Sequence, residues 1–165
     1  MTRHVLPPAA PKNRRAAKHL DAYKSCIAPD PNPVDAHGWT PLHKVAEKGH
    51  LELYRLIMSK CEDTNPASDA GITPFNWAAR EGHLEVCRLI MDTLKDKNPV
   101  GIGSEGYPGW TPLHWAAFKG HLEVCRLILE QCDEKNPADT NGVTPLYMAT
   151  KYGRDEVAAL IKSYL

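Results

Sequence analysis

Thr111–Gln131 reads TPLHWAAFKGHLEVCRLILEQ, and the way this stretch folds decides the architecture of the whole chain. Thr111 is a favoured helix N-cap type, and Pro112 suits the first helical turn, where a missing N–H costs nothing. The short helix PLHWAAFK then meets Gly120, a residue that tolerates the left-handed conformation of a helix end. A second helix is expected from about His121–Leu122, with Val124, Cys125, Leu127, Ile128 and Leu129 extending a broad apolar face. One such helix pair has too much apolar surface to hide against itself.

The same words recur. GHLEVCRLILE at Gly120 is nearly repeated as GHLEVCRLIMD at Gly82 and echoed by GHLELYRLIMS at Gly49. The Thr-Pro cap recurs at Thr40, Thr73, Thr111 and Thr144, at intervals of 33, 38 and 33 residues. Asn-Pro pairs at Asn32, Asn65, Asn98 and Asn136 keep the same phase, lying 8, 8, 13 and 8 residues before the next cap. The five extra residues therefore fall inside NPVGIGSEGYPGW. Asn-Pro favours extended backbone, and Asp139–Gly142 supplies a turn before the following cap. Each unit reads as helix, turn, helix, hairpin loop, and neighbouring units bury each other's apolar faces.

With its T-P-L-H signature and 33-residue spacing, TPLHWAAFKGHLEVCRLILEQ resembles the ankyrin repeat. The resemblance covers residues 32–165 and implies an all-α solenoid of stacked helix-turn-helix units joined by β-hairpin loops. Expected repeats are 32–64, 65–97, 98–135 (carrying the hairpin insertion) and 136–165 at the C-terminus. HLDAYKSCI at His19–Ile27 aligns with HLELYRLIM, so 14–31 is expected to be a degenerate capping half-repeat. Residues 1–13, rich in Pro and Ala, are expected to be disordered.

Composition narrows the functional classes. Lys plus Arg and Asp plus Glu are 20 each, without the basic excess that a phosphate-backbone binder needs, so no nucleic acid partner is expected. No run approaches the roughly 18 apolar residues of a membrane span, and no signal peptide core opens the chain. Five cysteines without a disulfide framework, and no Asn-x-Ser/Thr, suggest reduced thiols in cytoplasm or nucleus. A monomer is expected.

Several patterns imitate active sites. GIGSEG (Gly101–Gly106) matches a dinucleotide fingerprint, but loop flanks it where a strand and a helix are required. His83/Cys87 and His121/Cys125 have metal-compatible helical spacing, yet Tyr54 and Ala158 occupy the cysteine position in sister repeats. His43 and His114 invite an acid–base reading, but Asn76 and Tyr147 stand in their place elsewhere. The resemblance implies that this side chain bonds to neighbouring backbone. His50, His83 and His121 are replaced by Arg154 and read as turn-and-cap residues. No metal site, cofactor or catalytic residue is expected, and a metal- or nucleotide-dependent enzyme ranks third among the functional readings.

Repeated letters build the scaffold, so specificity should lie where copies differ. The resemblance implies binding of another protein through hairpin tips and the concave helix face. The variable positions there are Trp39, Glu47, Lys48, Arg80, Glu81, Tyr107, Trp110, Phe118, Lys119, Lys151 and Tyr152, with aromatics concentrated in the third repeat. Aromatic side chains dominate interface hot spots. Trp39 and Trp110 stand equally well as packing between hairpins, while Trp77 and Trp115 read as packing. A second reading makes the chain a substrate of an asparaginyl hydroxylase at Asn65, Asn98 or Asn136. Such recognition favours an aliphatic residue before the Asn, whereas Thr64, Lys97 and Lys135 precede these three.

Overall fold

Extended N-cap residues Thr40, Thr73, Thr111 and Thr144 each precede a proline that opens a helix. These first helices are α1 (Pro41–Glu47), α3 (Pro74–Glu81), α5 (Pro112–Lys119) and α7 (Pro145–Lys151). Each is followed by a tight turn and a second helix: α2 (Leu51–Met58), α4 (Leu84–Thr93), α6 (Leu122–Gln131) and α8 (Asp155–Lys162). A computed structural model describes residues 32–94 and 109–165 of the chain. The expected tail at 1–13, the capping half-repeat at 14–31, and the finger with Asn98, GIGSEG and Tyr107 lie outside the described residues.

The described helices form an all-α solenoid. α1, α3, α5 and α7 stack as one row, and α2, α4, α6 and α8 as another. Among the described residues the hairpin loops are turns rather than strands. In three of them Asp35, Ser68 and Asp139 donate N–H to the carbonyls of Trp39, Ile72 and Val143 at 2.9, 2.9 and 2.8 Å. The Asn of each described hairpin has a structural task. Asn32, Asn65 and Asn136 accept through Oδ1 from the N–H of Leu42, Phe75 and Leu146 at 3.3, 2.9 and 3.0 Å. Each bond occupies a helix-start donor that has no partner within its own helix.

Two sets of side-chain bonds tie each repeat to the next. His43 Nδ1 accepts from Thr40 N–H at 3.1 Å, which leaves the proton on Nε2, 2.9 Å from the Ile72 carbonyl of the following repeat. His114 repeats this with Thr111 at 3.1 Å and the Val143 carbonyl at 3.0 Å. The role implied for this signature residue is therefore present in both.

The second set runs backwards. His83 Nε2 lies 3.0 Å from the Glu47 carbonyl and His121 Nε2 2.9 Å from that of Arg80. Arg154 Nε donates to the Phe118 carbonyl at 3.2 Å. The turn-and-cap reading of these histidines needs correction. They occupy the N-cap position without a side-chain cap bond, and their rings reach the preceding repeat instead. Gly120 shows what that reach requires: its φ is +87°, and a Cβ there would lie 2.8 Å from Arg154 Cδ.

Apolar burial completes the stack. Tyr54, Cys87 and Cys125 occupy one register position at 0% exposure, with Ala158 at 7%. Position by position, the second helices thus fill a continuous interior whatever the residue's chemistry. Arg88–Glu85 and Arg126–Glu123 pair across one turn on their solvated side, at 4.0 and 3.7 Å.

Candidate functional site

The cysteines and signature histidines whose spacing imitates active sites are buried in the stack. Burial pushes the Cys125 thiol up to about 12 and Cys87 further still, so neither supplies a thiolate near neutral pH. Burial also holds His43 and His114 below the ordinary histidine value, and both ring nitrogens of each are engaged in hydrogen bonds. Among the described residues, no three His, Cys, Asp or Glu side chains converge as metal ligands. No helix among them is long and apolar enough to cross a membrane.

The first-helix row carries a different kind of feature. Aromatic rings run along it almost without a break. Trp39 lies 5.6 Å from Trp77 and meets His43 edge-on at 5.1 Å. Arg80 bridges the next gap, its guanidinium 4.6 Å from the Trp77 ring centre and 5.4 Å from that of Trp115. Trp115 meets Trp110 at 4.6 Å, Trp110 meets Phe118 at 6.0 Å, and Phe118 meets Tyr152 edge-on at 4.6 Å. Edge-to-face contacts at these separations are favourable for aromatic quadrupoles.

Exposure divides this run in two. Trp110 and Trp115 are only 6% and 8% exposed and pack with Met148 as a small core, against which Phe118 and Val143 lean. Trp110 Nε1 donates to Asp139 Oδ2 at 3.1 Å, so the indole's polar edge is turned into the next hairpin. Its placement among partner-contacting residues is corrected accordingly: Trp110 packs one hairpin against the next and backs Phe118. Trp39, Trp77 and Phe118 are half-buried, whereas Tyr152 is 44% exposed.

Charged neighbours complete the face. Lys48 is tied to Glu47 at 2.8 Å, which raises the lysine's proton affinity, and Glu81 lies 3.6 Å from Arg80. Lys119 sits 5.5 Å from the Phe118 ring, and Lys151 lies 5.6 and 5.7 Å from the rings of Tyr147 and Tyr152. Cations over ring faces gain from the same quadrupole.

Residues 9–101 and 93–164 match the family model for ankyrin repeats (3 copies). The chain belongs to the ankyrin repeat family. No curated protein matches its sequence. Ankyrin repeats are in general protein–protein interaction modules.

On this ankyrin stack contacts join Glu47 with Lys48, Arg80 with Glu81, and Phe118 with Trp110, Lys119 and Tyr152, the last also beside Lys151, while Trp39 meets Trp77. Tyr107 lies outside the described residues. Sequence reasoning missed Tyr147. It occupies the signature position where His43, Asn76 and His114 are 0%, 3% and 0% exposed, yet it is itself 51% exposed. The available signal was that a tyrosine replaces the His or Asn of the other repeats at this position. Asn65 and Asn136 were singled out for modification; both hold a helix N–H through Oδ1.

Proposed function

We propose that this ankyrin stack is a non-catalytic scaffold that docks another protein on the face formed by its first helices and hairpin tips. The observation that carries the reading is the aromatic and cationic surface from Arg80 through Phe118 to Tyr152. It is built from letters that vary between repeats and rests on a fixed core of Trp110, Trp115 and Met148. Rigid rings held in place by packing present contact area at small entropic cost, the usual make-up of an interface hot spot. The repeated letters are consumed by stacking: the signature histidines, Asn32, Asn65 and Asn136 of the described hairpins, and the second-helix apolar face each have a partner within the fold. Asparagine hydroxylation draws no support from the geometry, because the amides of Asn65 and Asn136 hold helix starts.

The test is affinity capture with quantified prey from three baits. These are the wild type, a Phe118→Ala/Tyr152→Ala double variant, and an Arg88→Ala/Arg126→Ala double variant altered on the second helices. Prey lost only from the Phe118/Tyr152 variant supports the reading. Prey retained by all three baits, or lost only from the Arg88/Arg126 variant, refutes it.

A further inference from the structure

Four equivalent positions near the end of the first helices read Glu47, Arg80, Phe118 and Lys151. The next position in each reads Lys48, Glu81, Lys119 and Tyr152. At the N-terminal end, charge is settled internally by the Lys48–Glu47 pair at 2.8 Å. Towards the C-terminal end it is not. No carboxylate of the described residues pairs with Lys119 or Lys151 within 4.0 Å. The Asp139 oxygens, next to the Trp110 core, accept from Trp110 Nε1, Asn141 N–H and Val143 N–H at 3.1, 2.8 and 2.8 Å.

Arg80 is the most organised of these cations. Trp77 and Trp115 hold its guanidinium between them, which removes most of the freedom a surface arginine would lose on binding. Its Nε is buried with no hydrogen-bond partner, and the Glu81 carboxylate at 3.6 Å is beyond hydrogen-bond reach. Trp77 Nε1 is a second buried donor without an acceptor beside it. Both unsatisfied groups are donors. The Arg80 side chain is still 34% exposed beside Glu81, and a planar fork fixed in place matches a carboxylate, which can take two parallel N–H bonds.

We infer that this face receives an extended acidic segment of a partner protein, with one carboxylate on Arg80, a second at Lys119 and Lys151, and an apolar side chain between them on Phe118 and Tyr152. This inference rests on the docking face proposed above and adds the chemistry of its ligand. Spacing follows from the stack. First helices in contact lie on the order of 10 Å apart, so Arg80 and Lys151, two repeats apart, are separated by roughly 20 Å. An extended chain rises about 3.3 Å per residue, which places the two carboxylates about six residues apart with the apolar residue midway. On this face Glu47 and Glu81 pair with Lys48 and Arg80, so the cationic surplus lies at Lys119 and Lys151 and steers an anionic segment to that end.

The test selects ligands without presupposing one. A random 12-residue peptide display library is panned on the immobilised full chain, and enriched peptides are synthesised with a fluorescent label for anisotropy titration. Enriched sequences should pair two acidic residues around an apolar one. Affinity should fall about tenfold in Lys119→Gln/Lys151→Gln and about tenfold in Arg80→Lys, which keeps the charge and loses the fork. Arg88→Gln/Arg126→Gln should change it less than about twofold. Enrichment of basic or neutral peptides that still depend on Phe118 and Tyr152 overturns the acidic ligand and leaves the docking face standing. Equal loss in the Arg88/Arg126 variant, equal affinity for a single-stranded oligonucleotide, or no enrichment also overturns the inference.

Discussion

Asn76 offers a test in which a stabilising outcome is expected from a buried substitution. Its Oδ1 accepts from Thr73 N–H and Oγ1 at 3.0 and 2.8 Å, the same two groups that His43 and His114 engage through Nδ1 in their own repeats. Those histidines extend further and donate through Nε2 to the following repeat, at 2.9 and 3.0 Å. Asn76 is shorter: its Nδ2 is buried and has no hydrogen-bond partner. Asn76→His should deliver the missing inter-repeat bond to the carbonyl of Trp110. A net intramolecular hydrogen bond contributes about 0.5–1.5 kcal/mol, and relieving a buried unsatisfied amide recovers about 1–3 kcal/mol. Against this stands up to about 1–3 kcal/mol if the ring overfills the site. A net gain of about 1–2 kcal/mol is expected, because His43 and His114 already fit the equivalent site at 0% exposure. Equilibrium urea denaturation followed by tryptophan fluorescence would read it as a higher midpoint at unchanged slope. A midpoint that stays put or falls would refute the claim that the signature position couples adjacent repeats through this bond.

Other perturbations address the remaining parts of the stack. Leu127 is 4% exposed on α6 between neighbouring second helices, and Leu127→Ala should cost about 2–5 kcal/mol in the same denaturation assay. Gly120→Ala should cost clearly more than Gly153→Ala by thermal melting. Both have positive φ, +87° and +64°, but only at Gly120 does a Cβ meet the next repeat, whereas nothing lies within 4 Å at Gly153. Burial holds the folded-state values of His43 and His114 below the ordinary 6.5, so the unfolded chain binds more protons in that window. Stability is therefore full above about pH 6.5 and falls as pH drops through the lowered folded values. Urea midpoints measured from neutral to mildly acidic pH should show this decline, and a His43→Asn/His114→Asn variant should flatten it.

What the sequence disclosed and what it withheld divide along a physical line. Periodic demands were legible because every repeat must meet them: the Thr-Pro cap, the glycine stop and the apolar register that accepts Tyr54, Cys87, Cys125 or Ala158. The cross-repeat bond of His43 and His114 followed from the family resemblance carried by those motifs. The direction of a side chain was not legible. His83 and His121 follow a helix-stopping glycine, which suggested a cap, yet their rings bond 36 and 41 residues back to the Glu47 and Arg80 carbonyls. Trp110 was evenly balanced between packing and binding until Asp139, 29 residues on, proved to be its acceptor. The seat of Arg80 between Trp77 and Trp115 depends on side chains from two successive repeats, and no motif within either repeat encodes it. Tyr147 was not legible as a surface residue because repeat alignment groups it with the buried His43, Asn76 and His114.

The most direct measurement of the docking face is a footprint on the intact protein. Amide and indole resonances would be followed in two-dimensional ¹H–¹⁵N NMR spectra while a captured partner is titrated in. Shifts confined to the first-helix row, at Glu47–Lys48, Arg80–Glu81, Phe118–Lys119 and Lys151–Tyr152, are the predicted result. Shifts centred on the second helices, around Glu85–Arg88 and Glu123–Arg126, would contradict it.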